Sequence, residues 1–104
     1  MQFIKEENRI YATNADKKTI AEVTFYEIEN GVYNIDHTFV DDSLRGQGIG
    51  SKLVEEAVST IKEKGAKVQA TCPFASKWIE ENIHKLKEKS AKLTSYLDFK
   101  LKES

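Results

Sequence analysis

The hydrophobic pattern of this chain changes period near Val40, and three of its five glycines sit just after the change. Upstream, apolar and polar residues alternate, as in Ala21-Glu22-Val23-Thr24-Phe25, the mark of a half-buried strand. Downstream, Ile49, Leu53, Val54, Ala57, Val58 and Ile61 follow helical spacing, with Lys52, Glu55, Glu56, Lys62 and Glu63 on the other side. The junction, Leu44 to Leu53, reads LRGQGIGSKL. Glycine inside an element costs about 0.5–1 kcal/mol relative to alanine. A helix with Gly46, Gly48 and Gly50 at its mouth therefore needs a use that offsets them.

The rest of the pattern sets the architecture. Residues 3–5 and 10–12 are short strand candidates ahead of 21–25. Asn30-Gly31 favours a tight hairpin turn into a strand over 32–40. On that strand Tyr33, Ile35, His37 and Phe39 are predicted to share one face. Gly65 stops the first helix, and residues 67–71 form a further short strand. Pro73 opens a second helix, where its missing N–H is no loss. Ala75, Trp78, Ile79, Ile83 and Leu86 give that helix an apolar stripe. Beyond Ser90, Leu93, Leu97 and Leu101 fit a helix, whereas Tyr96 and Phe99 fit a short packed segment. The expected fold is a single α/β domain of the α+β kind over 1–104. Antiparallel strands lead into a strand–helix–strand–helix unit, with a right-handed crossover and parallel strands. That places the glycine loop at the carboxyl end of the 32–40 strand, where such units bind ligands.

Bulk properties narrow the partners. The 104 residues include 16 Lys+Arg and 17 Asp+Glu, a formal net charge of −1, which gives no field for collecting nucleic acid or an anionic membrane. No apolar run is long enough to span a bilayer, and MQFIKEENRI lacks the layout of a signal peptide. Cys72 is the sole cysteine, so no intrachain disulfide forms, and a reducing cytoplasm is the expected compartment. One cysteine and two distant histidines do not make a zinc site, so no metal is expected.

An unpaired helix N-terminus presents backbone N–H groups and roughly +0.5 charge. Glycines ahead of it let those groups close on a phosphate, and Arg45 adds a cation. The alternative is a plain loop with a glycine cap. A Walker A loop needs Gly-Lys-Ser/Thr, but the order here is Gly50-Ser51-Lys52. A dinucleotide fingerprint starting at Gly46 and Gly48 needs glycine at 51, which is Ser51. It also needs an acidic residue after the next strand, and Val68-Gln69-Ala70-Thr71 has none.

Arg45-Gly46-Gln47-Gly48-Ile49-Gly50 resembles the [Q/R]-x-x-G-x-[G/A] loop of the GNAT superfamily of N-acetyltransferases, with Arg45, Gly48 and Gly50 in its defining positions. The order of strands and helices is also similar to that family's core. His37-Thr38-Phe39-Val40 before the loop and Cys72-Pro73-Phe74 before the last helix resemble the small, stand-alone branch. The resemblance runs from about Val23 to Ile83.

The resemblance implies acetyl-CoA as co-substrate and an amine acceptor, either a small molecule or a protein lysine. Arg45, Gly46, Gln47, Gly48, Ile49 and Gly50 would hold the pyrophosphate, with Ser51 and Lys52 adding contacts. The backbone of Phe39 and Val40 would bond the pantetheine arm as an added strand. The parallel strands would splay near the thioester and bring Cys72 close to the acetyl group. Two departures matter. Only the polar turn Asn14-Ala15-Asp16-Lys17-Lys18 separates residues 10–12 from 21–25, so the acceptor side is expected to be open or completed by a second chain. No tyrosine lies between Phe74 and Leu86 to serve as the family's usual acid.

Cys72 is the natural substitute. At a helix N-cap a cysteine favours thiolate and could take the acetyl group itself; as a neutral thiol it could protonate the leaving coenzyme. A small buried core residue is the alternative reading. His37 could deprotonate the acceptor or be a structural residue on an apolar face. His84 reads as solvated; Asp41-Asp42 could form a carboxylate pair or start a polar loop, and Asp36 is open between the same readings. Three functions follow: an N-acetyltransferase, monomeric or weakly dimeric; a coenzyme-binding module or sensor without transfer; or an interaction protein that keeps the loop.

Overall fold

In the computed structural model, which describes residues 2–82, the elements run β1 (Ile4–Glu6), β2 (Arg9–Thr13), β3 (Thr19–Glu29), β4 (Val32–Val40), a 3-10 turn (Asp42–Leu44), α1 (Ile49–Glu63), β5 (Lys67–Ala70) and α2 (Pro73–Glu81). The strands form one five-stranded sheet in the order β1-β2-β3-β4-β5. The first four form an antiparallel meander, and β5 lies parallel to β4. The chain is therefore a mixed α+β fold of the expected order. Ile83, Leu86 and the stretch from Ser90 onward lie outside the described residues.

Burial explains why these segments became these elements. The six apolar positions read as one helical stripe, Ile49 to Ile61, are the six buried residues of α1. They pack with Ile10, Ala12, Ala21, Val23, Phe25 and Ile35 of the sheet, Val68 and Ala70 of β5, and Ala75, Trp78 and Ile79 of α2 in one cluster. Both helices thus lie over the same sheet face. At the end of α1 the Gly65 amide donates to the Lys62 carbonyl (2.9 Å) and the Ala66 amide to Ile61 (3.4 Å), the two bonds that close a Schellman end. β3 is longer than the alternation of 21–25 suggests. The Asn30-Gly31 turn fixes its last residue at Glu29, and the nine residues of β4 need a partner along their length.

One irregularity shapes everything downstream. Thr24 pairs with His37 but Phe25 pairs with Ile35, so Asp36 is an extra residue in β4. A bulge of this kind reverses which side chains face which way beyond it. Thr38, opposite buried Val23, continues the core face with Ile35. His37 and Phe39 move to the outer face. The expectation that Tyr33, Ile35, His37 and Phe39 share a face therefore fails, because strict alternation does not survive the inserted residue.

Candidate functional site

The site begins where β4 loses a partner. Its parallel register with β5 runs from Val32↔Lys67 to Ile35↔Ala70 and stops there. The Ile35 carbonyl then accepts both the Thr71 and Cys72 amides, at 3.1 and 3.2 Å, and the chain turns into α2. Among the described residues, β4 continues alone on that side from Asp36 to Val40. The Asp41 amide donates to the Ile20 carbonyl (2.8 Å). By strand alternation, the backbone groups of His37 and Phe39 then face β3, while those of Thr38 and Val40 face the open side. Of the two residues expected to present backbone to the coenzyme arm, Val40 has it free and Phe39 has it engaged. Thr38, not singled out from the sequence, is free in Phe39's place, because only the bulge reveals the phase.

Across the opening stands Cys72, the N-cap of α2, 7% exposed. Its thiol donates to the Thr38 hydroxyl at 3.4 Å. The end of the pairing is held by side chains as well. Asn34, nearly buried, donates through Nδ2 to Thr71 Oγ1 (2.9 Å) and accepts from Gln69 Nε2 (3.4 Å).

The glycine loop leads from the free end of β4 into α1. Asp41 caps the 3-10 turn, its carboxylate accepting from the Ser43 amide (3.1 Å) and hydroxyl (2.6 Å). The Ser43 hydroxyl, then its amide, hold that carboxyl below its usual range. The amides of Leu44, Arg45 and Gln47 bond back into the turn. Gly46 and Gly48 then take φ of +81° and +71°, with nothing within 4 Å of where a Cβ would stand. These two positions require glycine for backbone conformation. Gly48 is the N-cap of α1 and supplies no side-chain acceptor, so the amides of Ile49, Gly50 and Ser51 open the helix uncapped. The Ile49 side chain is in the core, leaving only its amide for a ligand. Gln47, Ser51 and Lys52 are exposed.

Gly50 differs: a Cβ there would meet the Phe74 ring at 2.8 Å. A side chain there would have to push aside the far end of that half-exposed ring. Arg45 also departs from a free cation, since its guanidinium pairs with Asp42 at 2.8 Å, both side chains more than 80% exposed. Such a pair contributes about 0–1 kcal/mol and gives way readily to a phosphate.

His37 lies on the outer face, 53% exposed, with Nε2 3.8 Å from Glu22 Oε1. Glu22 also accepts from Arg9, and that bond holds the Arg9 guanidinium's pKa above its usual value. Because His37 and Thr38 are neighbours on a strand, His37 and Cys72 belong to opposite faces and make no dyad. Among the described residues no group of three or more His, Cys, Asp or Glu side chains could hold a metal ion. No described helix is long and apolar enough to cross a membrane.

A family model described as GCN5-related N-acetyl-transferase covers residues 9–88. The chain belongs to this family. Its structure is similar to that of a GCN5-like protein from Staphylococcus aureus, with 36% identity, 78% of this chain and 79% of that one covered, and a TM-score of 0.66. An acetyltransferase from Bacillus cereus shares 32% identity over 62% of this chain and 46% of its own, TM-score 0.55. A GNAT family N-acetyltransferase from Escherichia coli, solved in complex with CoA, shares 25% over 60% and 38%, TM-score 0.53. This chain spans less than half of the last two. No curated protein matches it. The Asn14–Lys18 turn is short: the Asn14 side chain accepts the Asp16 and Lys18 amides, at 2.9 and 3.0 Å, and β2 passes directly into β3.

Proposed function

We propose that this protein is an acetyl-CoA-dependent N-acetyltransferase. The observation that carries the reading is the half of β4 that, among the described residues, has no partner beyond β5; it leads from beside Cys72 toward the uncapped N-terminus of α1. One end offers backbone amides suited to a pyrophosphate, the middle offers the free backbone of Thr38 and Val40, and the far end offers a sulfur.

In direct transfer, the acceptor nitrogen attacks the thioester carbon. A C–N bond forms, the C–S bond breaks, the nitrogen gives up a proton and the coenzyme sulfur takes one. The Cys72 thiol supplies that proton, and His37 on the outer face receives the acceptor's. In the covalent route, the Cys72 sulfur attacks first and its proton ends on the coenzyme sulfur. The amine then attacks acetyl-Cys72: a C–N bond forms, the C–S bond to Cys72 breaks, and the nitrogen's proton returns to the Cys72 sulfur. Support for Cys72 is its position across from Thr38; support for His37 is its exposure beside Glu22. The acceptor is a small amine or a protein lysine, approached over the outer sheet face, which no inserted helix between β2 and β3 obstructs.

Intact mass after incubation with acetyl-CoA separates the routes. A covalent route leaves an adduct of about +42 Da, lost in Cys72→Ala. Coenzyme thiol release across a panel of amines, without an adduct, supports direct transfer. The absence of a tyrosine between Phe74 and Leu86 favours a second reading, a coenzyme-binding module without transfer. Saturable coenzyme binding with neither adduct nor thiol release supports it. Amide shifts at Gly46–Gly50 that stay unmoved at saturating acetyl-CoA overturn both.

A further inference from the structure

Phe74 is one of five large apolar side chains left in the open among the described residues, 47% exposed in the first turn of α2. Its ring seats against Gly50 in the first turn of α1. A Cβ on Gly50 would stand 2.8 Å from Cζ, 3.1 Å from Cε1 and 3.5 Å from Cε2. Gly50 has no positive φ, so what a side chain at this position would meet is the far end of this ring. Phe74 also stands two residues after Cys72. The ring therefore bridges the starts of the two helices, one at the phosphate end of the site and the other at the sulfur end.

Resting on the coenzyme reading above, we infer that Phe74 is the specificity residue for the pantetheine arm. Between pyrophosphate and sulfur, coenzyme A carries a flexible chain with a geminal dimethyl group and two amides. The free backbone of Thr38 and Val40 suits the amides. The exposed ring of Phe74 is the apolar surface on the same path, and it gains by being covered. The glycine-loop amides suit a pyrophosphate whether or not it carries the arm; Phe74 adds a preference for ligands that bear the arm.

The test compares coenzyme A with 3′-phospho-ADP, which has the pyrophosphate and lacks the arm, by calorimetry on the full chain. Phe74→Ala weakens coenzyme A binding about tenfold or more and leaves 3′-phospho-ADP within about twofold of wild type. Phe74→Leu falls between. Gly50→Ala displaces the ring and weakens coenzyme A binding in the wild-type background, with no further loss when added to Phe74→Ala. The ring is half-exposed, so the variants keep the wild-type amide spectrum away from α1 and α2. Wild type that binds both ligands while Phe74→Ala keeps full coenzyme A affinity, or loses both ligands equally, overturns this inference alone. Wild type that binds neither overturns the coenzyme reading and this inference with it.

Discussion

The Cys72 thiol donates to the Thr38 hydroxyl across 3.4 Å, tying the start of α2 to the unpartnered half of β4. Thr38→Val keeps the shape and removes the acceptor. A thiol is a weak donor, so the stability change stays below about 1 kcal/mol in urea titration. The sulfur loses its fixed orientation, and acetyl-Cys72 formation or thiol release slows about tenfold, ~1.4 kcal/mol in the barrier. A stability loss above about 2 kcal/mol with an unchanged rate would assign the contact to folding instead.

Arg45 and Asp42 form an exposed i,i+3 pair. Arg45→Ala therefore changes stability by no more than about 0.5 kcal/mol. Coenzyme affinity falls, and the loss shrinks as salt is raised, because a phosphate contact is screened. Calorimetry at two ionic strengths, alongside thermal melts, reads both. Equal affinity for variant and wild type at low salt would remove Arg45 from the site.

Gly46 and Gly48 have open space around them but left-handed backbone. Alanine at either position strains the loop by about 1–2 kcal/mol. Gly48→Asn costs less than Gly48→Ala, since asparagine tolerates that conformation, and urea midpoints should rank them in that order. Gly50→Ala differs in kind: its penalty depends on the Phe74 ring and vanishes in Phe74→Ala.

The three glycines show how far the sequence reaches. Their number and place raise the expectation of an anion loop, and the periods on either side gave β3, β4, α1, β5 and the start of α2. The α1 stripe was legible to the residue because helical spacing has no competing phase. β4 was legible in extent but not in phase. The extra Asp36 leaves no mark in the pattern, and only pairing with β3 exposes it. That single residue decides that Thr38 faces Cys72 and His37 does not. Phe74 was hidden for another reason: its partner, Gly50, lies far away in sequence and was already explained by phosphate.

Asn34 holds the last turn of β4–β5 pairing through Thr71 and Gln69. Asn34→Leu removes both bonds and leaves the Thr71 hydroxyl and Gln69 amide without that partner. The loss of stability is about 1–3 kcal/mol in urea titration. Amide exchange should speed first at Thr71 and Cys72, whose bonds to the Ile35 carbonyl lie next to it. An Asn34→Leu protein as stable as wild type would show that the Ile35 carbonyl alone fixes the point where the strands part.

Asp41 gives a pH signature at the entrance to the glycine loop. Its carboxyl is held below the usual range chiefly by the Ser43 hydroxyl, then by the Ser43 amide, with Lys18 adding a smaller attraction. A group whose folded pKa is depressed contributes stability above its unfolded pKa and loses it as pH falls through the folded one. The cap is therefore fully formed at neutral pH and persists down to about 3.9, the ordinary aspartate value. Below that, protonation removes the acceptor charge and the 3-10 turn loosens. The Ser43 amide resonance should titrate with a midpoint below the ordinary aspartate value. In Asp41→Asn that acid transition disappears, while coenzyme affinity near neutrality falls as the turn loses its cap. A midpoint at or above the ordinary value would mean that the Ser43 bonds do not hold the loop in solution.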